Sequence, residues 1–89
     1  MTPQEMARTR EAMGYSQLEL ATFLGMSLAE YQQLENEELP IKPIHTFAVL
    51  YASMMLSVIE EDASIAPPNA RDFSLKLAKL ITSQPESRK

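Results

Sequence analysis

Three short segments of this chain each begin with the same pattern, a Ser or Thr followed three residues later by Glu. At a helix N-terminus such a pair satisfies two backbone N–H groups reciprocally, because each side chain accepts a hydrogen bond from the other residue's backbone. The pattern occurs at Thr2–Glu5, Ser16–Glu19 and Ser27–Glu30. Gly14 and Gly25 follow the first two segments at the distance where a left-handed residue ends a helix. The spacing predicts three short helices, at about residues 3–13, 17–24 and 28–36.

Prolines define a fourth helix. Pro40 disfavours helical geometry in the residue before it, whereas Pro43 can occupy the first turn of a helix, which we extend to about Glu61. Apolar residues recur in this segment at intervals of three and four, which is the helical period. They are Ile44, Phe47, Leu50, Tyr51, Met54, Met55 and Val58.

A fifth helix is predicted after a break at Pro67 and Pro68, over about residues 70–83. Asn69–Asp72 resembles a looser version of the N-terminal capping pattern. No segment shows the alternating Val, Ile and Thr pattern of a β-strand, and good helix formers are abundant. The chain is therefore predicted to be an all-α bundle of about five helices.

Composition narrows the classes of function. The chain has no cysteine and one histidine, His45, so it offers neither a disulfide framework nor a usual zinc ligand set. His45 has no nucleophile or second histidine near it, and the carboxylates fall at helix caps and loops; we expect no metal, no cofactor and no enzymatic activity. We see no signal peptide, and the apolar stretch Phe47–Ile59 is too short to span a bilayer. We expect a cytoplasmic protein with no membrane partner.

The second and third helices carry the most specific pattern. Their inward positions are predicted to be Leu20, Ala21, Leu24, Met26, Tyr31 and Leu34. The segment Tyr15–Ser27, followed by Tyr31–Asn36, resembles the helix-turn-helix of the phage repressor and Cro (Xre-like) family, and the resemblance extends over about Met6–Ala52. It implies a compact repressor-like helix-turn-helix domain over residues 1–64. Residues 65–84 would form a helix that packs or dimerises, and residues 85–89 a flexible tail.

The family resemblance also implies a function, a DNA-binding transcriptional regulator with its third helix in the major groove. Gln17 matches a glutamine that contacts a DNA phosphate, and Gln33 matches a position that contacts a base edge. Arg10 and Glu35 match a partly buried ion pair between the first and third helices. The candidate DNA-binding residues are Gln17, Ser27, Leu28, Ala29, Gln32, Gln33 and Lys42.

Regulators of this kind bind palindromic operators as dimers, with half-sites one helical turn apart, about 34–36 Å. The apolar stripe of the last helix is either part of the domain core or a dimer interface. Its residues are Phe73, Leu77, Leu80 and Ile81.

The charge distribution favours a second interpretation. The net charge is −4, and no Lys or Arg occurs between Glu11 and Ile41, whereas Glu37 and Glu38 follow the third helix. Carboxylates near a phosphate backbone oppose binding. The alternative is a protein-binding helix-turn-helix module that recognises a basic partner, such as an antitoxin or a phage-encoded inhibitor of a host nucleic-acid-binding complex.

Overall fold

The structure, a computed structural model, describes residues 1–84 and confirms the predicted all-α fold class. The α-helices are α1 (Pro3–Met13), α2 (Gln17–Leu24), α3 (Leu28–Glu35), α4 (Pro43–Glu60) and α5 (Pro68–Ser83), with a short 3-10 helix at Ala63–Ile65. Within residues 1–84 there is no β-strand. The tail predicted at residues 85–89 lies outside the described residues.

Local side-chain chemistry sets the starts and ends of the first three helices. Thr2, Ser16 and Ser27 each accept a hydrogen bond from the backbone N–H of the glutamate three residues on, at 3.1 Å in all three cases. α1 and α2 end at Gly14 and Gly25, whose φ angles are +75° and +74°. Left-handed backbone of this kind costs little for glycine because it has no Cβ. The capping patterns therefore place these helices correctly.

α5 begins earlier than predicted, because Pro68 occupies its first turn and Pro67 is its N-cap residue. Asn69 lies inside the helix, and its side-chain oxygen accepts a hydrogen bond from the next residue's N–H, Ala70 N, at 2.9 Å. The capping role predicted for Asn69–Asp72 is therefore wrong. Asp72 instead forms an exposed ion pair with Lys76, one helical turn away, at 3.1 Å.

The core lies where α1, α2, α3 and α4 meet, with the 3-10 helix closing one side. Leu20, Ala21, Tyr31 and Leu34 are fully buried there, and two further inward residues, Leu24 and Met26, are partly buried against the core, as predicted. The remaining buried apolar residues are Met6, Met13, Val49, Ala52, Ile65, Ala66 and Ala70.

The side of α4 that faces the core is not the side that carries the apolar repeat from which the helix was predicted. Its buried residues are Val49, Ala52 and Ser53. The hydroxyl of Ser53 is satisfied by the carbonyl oxygen of Leu50 at 2.7 Å, which makes its burial tolerable. Most of the repeat lies on the opposite, exposed side of the helix. α4 is thus apolar on both sides.

By length and composition α4 could also cross a membrane. The helix has 18 residues and a mean hydropathy of 1.3, and 17% of it is buried within the fold. The expectation that the apolar region is too short considered only Phe47–Ile59, whereas the helix that contains this stretch extends over Pro43–Glu60. Length and composition therefore do not exclude a membrane for α4.

α5 is attached to the remaining helices near its N-terminus, where Ala70 is buried and Ser74 is partly buried. Beyond Ser74 every described residue of α5 is exposed, and residues 1–84 form an elongated body of 45 × 24 × 20 Å. The predicted stripe of Phe73, Leu77, Leu80 and Ile81 is between 52% and 71% exposed. It is therefore not part of the core of one chain, and its predicted role in dimerisation stays a prediction.

Candidate nucleic-acid interface

A tight turn joins α2 to α3 and fixes where the exposed side of α3 begins. The N–H of Met26 donates to the carbonyl oxygen of Ala21 at 2.9 Å, while that of Gly25 donates to the carbonyl oxygen of Thr22 at 3.1 Å. Ser27 then caps α3 and is held by Glu30, so its hydroxyl has a structural role. Leu28 and Ala29 follow on the exposed surface of the first turn of α3.

Glu35, at the C-terminus of α3, accepts hydrogen bonds from two other helices and from a residue of its own helix. Arg10 of α1 donates from Nε to Oε2 at 2.7 Å and from Nη2 to Oε1 at 3.2 Å, which is a bidentate ion pair. Gln17 of α2 donates from Nε2 to Oε1 at 2.9 Å. The hydroxyl of Tyr31, one turn earlier in α3, donates to Oε2. We call Glu35, Arg10, Tyr31 and Gln17 the Glu35 cluster.

The Glu35 cluster keeps its carboxylate charged inside the fold. Burial raises the pKa of Glu35, but the hydrogen bonds from Arg10, Tyr31 and Gln17 outweigh it, and the pKa lies below its ordinary value. Burial raises the pKa of the Tyr31 hydroxyl, and the neighbouring Glu35 carboxylate raises it further. Tyr31 therefore acts as a neutral donor and Glu35 as a charged acceptor. The side chains of Arg10 and Glu35 are 14% and 7% exposed, so the pair is largely shielded from water.

Gln17 connects this cluster to the outer side of α3. Its amide nitrogen is held by Glu35, and its amide oxygen accepts a hydrogen bond from Gln32 Nε2 at 3.2 Å. The buried residues Tyr31 and Leu34 face the core, which places Gln32 on the outer side of the helix, and both glutamines remain partly exposed. The orientation of the Gln32 side chain is therefore set by Gln17, and indirectly by the ion pair.

The structure brings some of the predicted DNA-binding residues together and separates others. Gln17 and Gln32 are in contact, whereas the side chain of Gln33 makes no hydrogen bond within residues 1–84 and is partly exposed. Lys42 lies at the N-terminus of α4, where its backbone N–H donates to His45 Nδ1 at 3.0 Å. Its side chain is exposed and forms no ion pair with any described residue.

The acidic residues around α3 differ in how far their charge is compensated. Glu19 and Glu30 accept hydrogen bonds at helix caps, and Glu35 is paired with Arg10. Glu37 and Glu38 are exposed and have no ion-pair partner among residues 1–84. Uncompensated negative charge near the interface is therefore concentrated in the turn after α3.

The other basic residues near α1 are placed less favourably for this interface. Arg10 is occupied by Glu35, and Arg8 lines a groove of about 730 Å³ together with Arg71, Asn69 and Ser64, at the junction of α1 with the 3-10 helix and the start of α5. Lys42 is therefore the exposed cation nearest to α3 in the sequence. Among residues 1–84 no cluster of three or more metal-ligating side chains occurs.

Sequence reasoning identified the Arg10–Glu35 pair through the family resemblance but missed two of its partners. The spacing of Tyr31 and Glu35, four residues apart on one helix, was a signal that their side chains could meet. No comparable signal links Gln17 to Glu35 or to Gln32, because those contacts depend on how α2 lies against α3.

Comparison with known proteins finds no protein-family model, curated protein or solved structure that matches this chain. The resemblance to the phage repressor and Cro family therefore rests on the residues quoted above, and membership of that family stays a prediction.

Proposed function

We propose that this chain is a sequence-specific DNA-binding transcriptional regulator that places α3 in the major groove and acts as a dimer. The observation that carries the proposal is the pair of glutamine side chains, Gln17 and Gln32, held in contact at the outer side of α3 by Glu35. The Gln32 amide is partly exposed, and its one hydrogen bond within residues 1–84 is to Gln17. It is well suited to recognising a base edge.

The chemistry of the amide supports a particular base. A glutamine side chain offers one acceptor and two donor hydrogens, and it pairs with the N6 and N7 positions of adenine in the major groove. Gln32 donates one amide N–H to the amide oxygen of Gln17. The amide oxygen and the second N–H of Gln32 are then available to a base. Gln17 has one N–H left, which can reach a phosphate oxygen. Gln33 lies next along the helix and is the second candidate for a base contact.

The charge distribution sets an expectation for affinity. If Lys42 is the main cation that reaches the DNA backbone, each protomer makes about one ionic phosphate contact and a dimer makes about two. Since the slope of log K against log salt is roughly −0.9 per contact, the dimer should show a slope near −2. Specificity would then depend on base contacts and shape more than on phosphate attraction.

The test begins by selecting duplexes from a random DNA library with the intact protein, followed by fluorescence anisotropy at several salt concentrations. A Gln32→Ala variant should bind the selected duplex at least roughly 30-fold more weakly, because each of the two protomers loses a bidentate base contact worth about 1–3 kcal/mol. Gln4→Ala, an exposed glutamine on α1, is the matched control and should bind normally. Failure to enrich any sequence, together with no binding at low salt, would contradict the proposal.

A second candidate function is recognition of a basic protein, and one specific observation favours it. Leu18, Phe23 and Leu28 are 57%, 44% and 36% exposed on α2 and the start of α3, in a segment without any Lys or Arg. Leu28→Lys distinguishes the two functions. On a DNA-binding surface the added positive charge should strengthen nonspecific binding, whereas on a surface for a basic partner it should abolish complex formation measured by calorimetry.

A further inference from the structure

α4 carries six exposed large apolar residues, and five of them, all except Ile59, fall in a symmetric spacing. We call these five the α4 stripe: Ile44, Phe47, Tyr51, Met55 and Val58. Their exposed fractions are 70%, 68%, 63%, 37% and 78%. The successive intervals are three, four, four and three residues, so the stripe has the same spacing read from either end, with Tyr51 at its centre.

The α4 stripe lies on the side of the helix opposite to its core contacts. At 100° per residue, the stripe positions fall within a narrow sector, and the buried residues Val49, Ala52 and Ser53 fall roughly opposite. No Asp, Glu, Lys or Arg occurs between Lys42 and Glu60. A helix that is apolar on both sides is expected to be covered on both sides.

The exposed area of the stripe sets an upper limit on what pairing of α4 could bury. Five residues at these exposures present roughly 700 Å² per chain, against the 800 Å² or so that each partner buries in a standard interface. The largest apolar patch of an ordinary monomer is about 300–600 Å². An apolar groove beside the stripe, lined by Met54, Val58 and Leu75, extends the surface further.

We propose that the α4 stripe is an interface with the same stripe of a second copy of this chain, with the two α4 helices antiparallel and related by a two-fold axis at Tyr51. In a two-fold interface, residue i of one copy faces residue j of the other and j faces i. The symmetric spacing satisfies this condition, because Phe47 then faces Met55 and Ile44 faces Val58 in both directions. Tyr51 faces Tyr51 at the axis.

The charges at the ends of α4 also favour a second copy in this orientation. Glu60 and Glu61 lie at the C-terminal end of α4. An antiparallel pair brings the positive dipole end at the N-terminus of each helix beside these carboxylates of the other copy, whereas a parallel pair would bring the carboxylates of both copies together. Between its ends α4 itself has no Asp, Glu, Lys or Arg side chain that a second copy would have to desolvate.

A lipid bilayer fits the fold less well than a second copy. Only one side of α4 is exposed, and Val49, Ala52 and Ser53 hold the other side against the core. Spanning a membrane would remove these residues from α1 and the 3-10 helix. The exposed α5 stripe (Phe73, Leu77, Leu80 and Ile81) is a separate surface. Its successive intervals are four, three and one residues, so its spacing differs when it is read from the other end.

The first test uses opposite charges at positions that the register brings together. Phe47→Lys and Met55→Glu should each raise the dimer dissociation constant by roughly 100-fold, as expected at the centre of an interface. The double variant should restore the dimer, because each new lysine then faces a new glutamate of the second copy. Within one chain these positions are eight residues apart, about two turns, and do not meet. Sedimentation velocity measures the dissociation constant, and circular dichroism confirms that each variant is folded.

The second test uses the absence of cysteine from the chain. A Tyr51→Cys variant should form a disulfide-linked dimer rapidly under mild oxidation, because the two-fold axis brings the two thiols together. Leu18→Cys, an equally exposed position on α2, is the matched control and should stay largely monomeric. The crosslink reports the position of the axis directly and does not depend on how much the substitutions weaken the interface.

Three results would overturn the proposal: a monomer at concentrations well above micromolar, a dimer lost in Leu77→Lys but kept in Phe47→Lys, or a monomer that floats with vesicles of phosphatidylcholine and phosphatidylglycerol. The proposal goes beyond DNA binding and does not rest on it. If α4 pairing fails, binding of DNA by α3 is still tested by the Gln32→Ala comparison.

Discussion

Replacing Glu35 by alanine should be among the most destabilising single changes in this chain. The carboxylate accepts two hydrogen bonds from Arg10 and one each from Tyr31 and Gln17. Its removal leaves the Arg10 guanidinium, 14% exposed, without its anion, and two polar side chains without their acceptor. Breaking a largely buried ion pair from one side costs about 3–5 kcal/mol. For a domain of this size, each kcal/mol lowers the midpoint of thermal unfolding by roughly 4–8 °C.

The assay is urea unfolding followed by circular dichroism at pH 7, with Glu11→Ala as control. Glu11 is an exposed glutamate on α1 for which no ion pair occurs within residues 1–84, so its loss should change stability by under about 0.5 kcal/mol. The double variant Arg10→Met with Glu35→Leu should recover much of the loss, because neither charge is then buried alone. A cost for Glu35→Ala no larger than that for Glu11→Ala would refute the reasoning.

The pH dependence of stability gives an independent check. The pKa of Glu35 is lower in the folded state than its ordinary value of 4.5. A carboxyl group with a depressed pKa stabilises the fold above its unfolded-state pKa, and this contribution is lost as the pH falls through the folded-state pKa. The wild-type protein should therefore lose stability below about pH 4.5. The Glu35→Ala variant, already weakened at pH 7, should show a flatter profile over that range.

Further predictions concern the turns and the proposed DNA contact. Glu37 has a φ of +64°, so Glu37→Gly should raise stability by up to about 1 kcal/mol, whereas Glu38→Gly, which removes the same charge without relieving strain, should not. Gly25→Ala should lower the free energy of unfolding by about 1–2 kcal/mol in the same urea assay. The added Cβ would meet nothing within 4 Å, so the cost comes from backbone strain at a φ of +74° alone. Lys42→Ala should weaken binding of all duplexes similarly, and for a dimer it should make the slope of log K against log salt shallower by roughly two units. An unchanged slope would contradict the proposed phosphate contact.

The helix boundaries could be predicted because their determinants are local. Thr2, Ser16 and Ser27 fix three helix starts through residues only three positions away, and the structure contains all three hydrogen-bonded caps. The error at Asn69 has the same local character, since Pro68 determines the start of α5. Pro68 and the adjacent Asn69 gave competing signals, and the proline decides the helix start.

The side of α4 that faces the core could not be predicted from its sequence. Apolar residues occupy both faces, so the period indicated a helix without indicating which stripe is buried. Val49, Ala52 and Ser53 are buried on the side of α4 that meets the other helices, and Leu56 packs against the same core. Phe47 and Tyr51 lie on the exposed side. Which of the two apolar faces is buried depends on how α4 packs against α1 and the 3-10 helix, which its own sequence does not specify.

The same reasoning explains why the candidate site was only partly predictable. Gln17 and Gln32 are fifteen residues apart, and their contact depends on the turn at Gly25 and on the burial of Tyr31 and Leu34, which together orient α3. Once α3 is oriented, Glu35 stabilises the fold and also fixes the Gln17 amide. In the proposed function, stability and recognition therefore share one carboxylate. A folded variant such as Glu35→Gln should therefore lose DNA sequence discrimination as well as stability, because an uncharged amide in place of the carboxylate holds Gln17 less firmly.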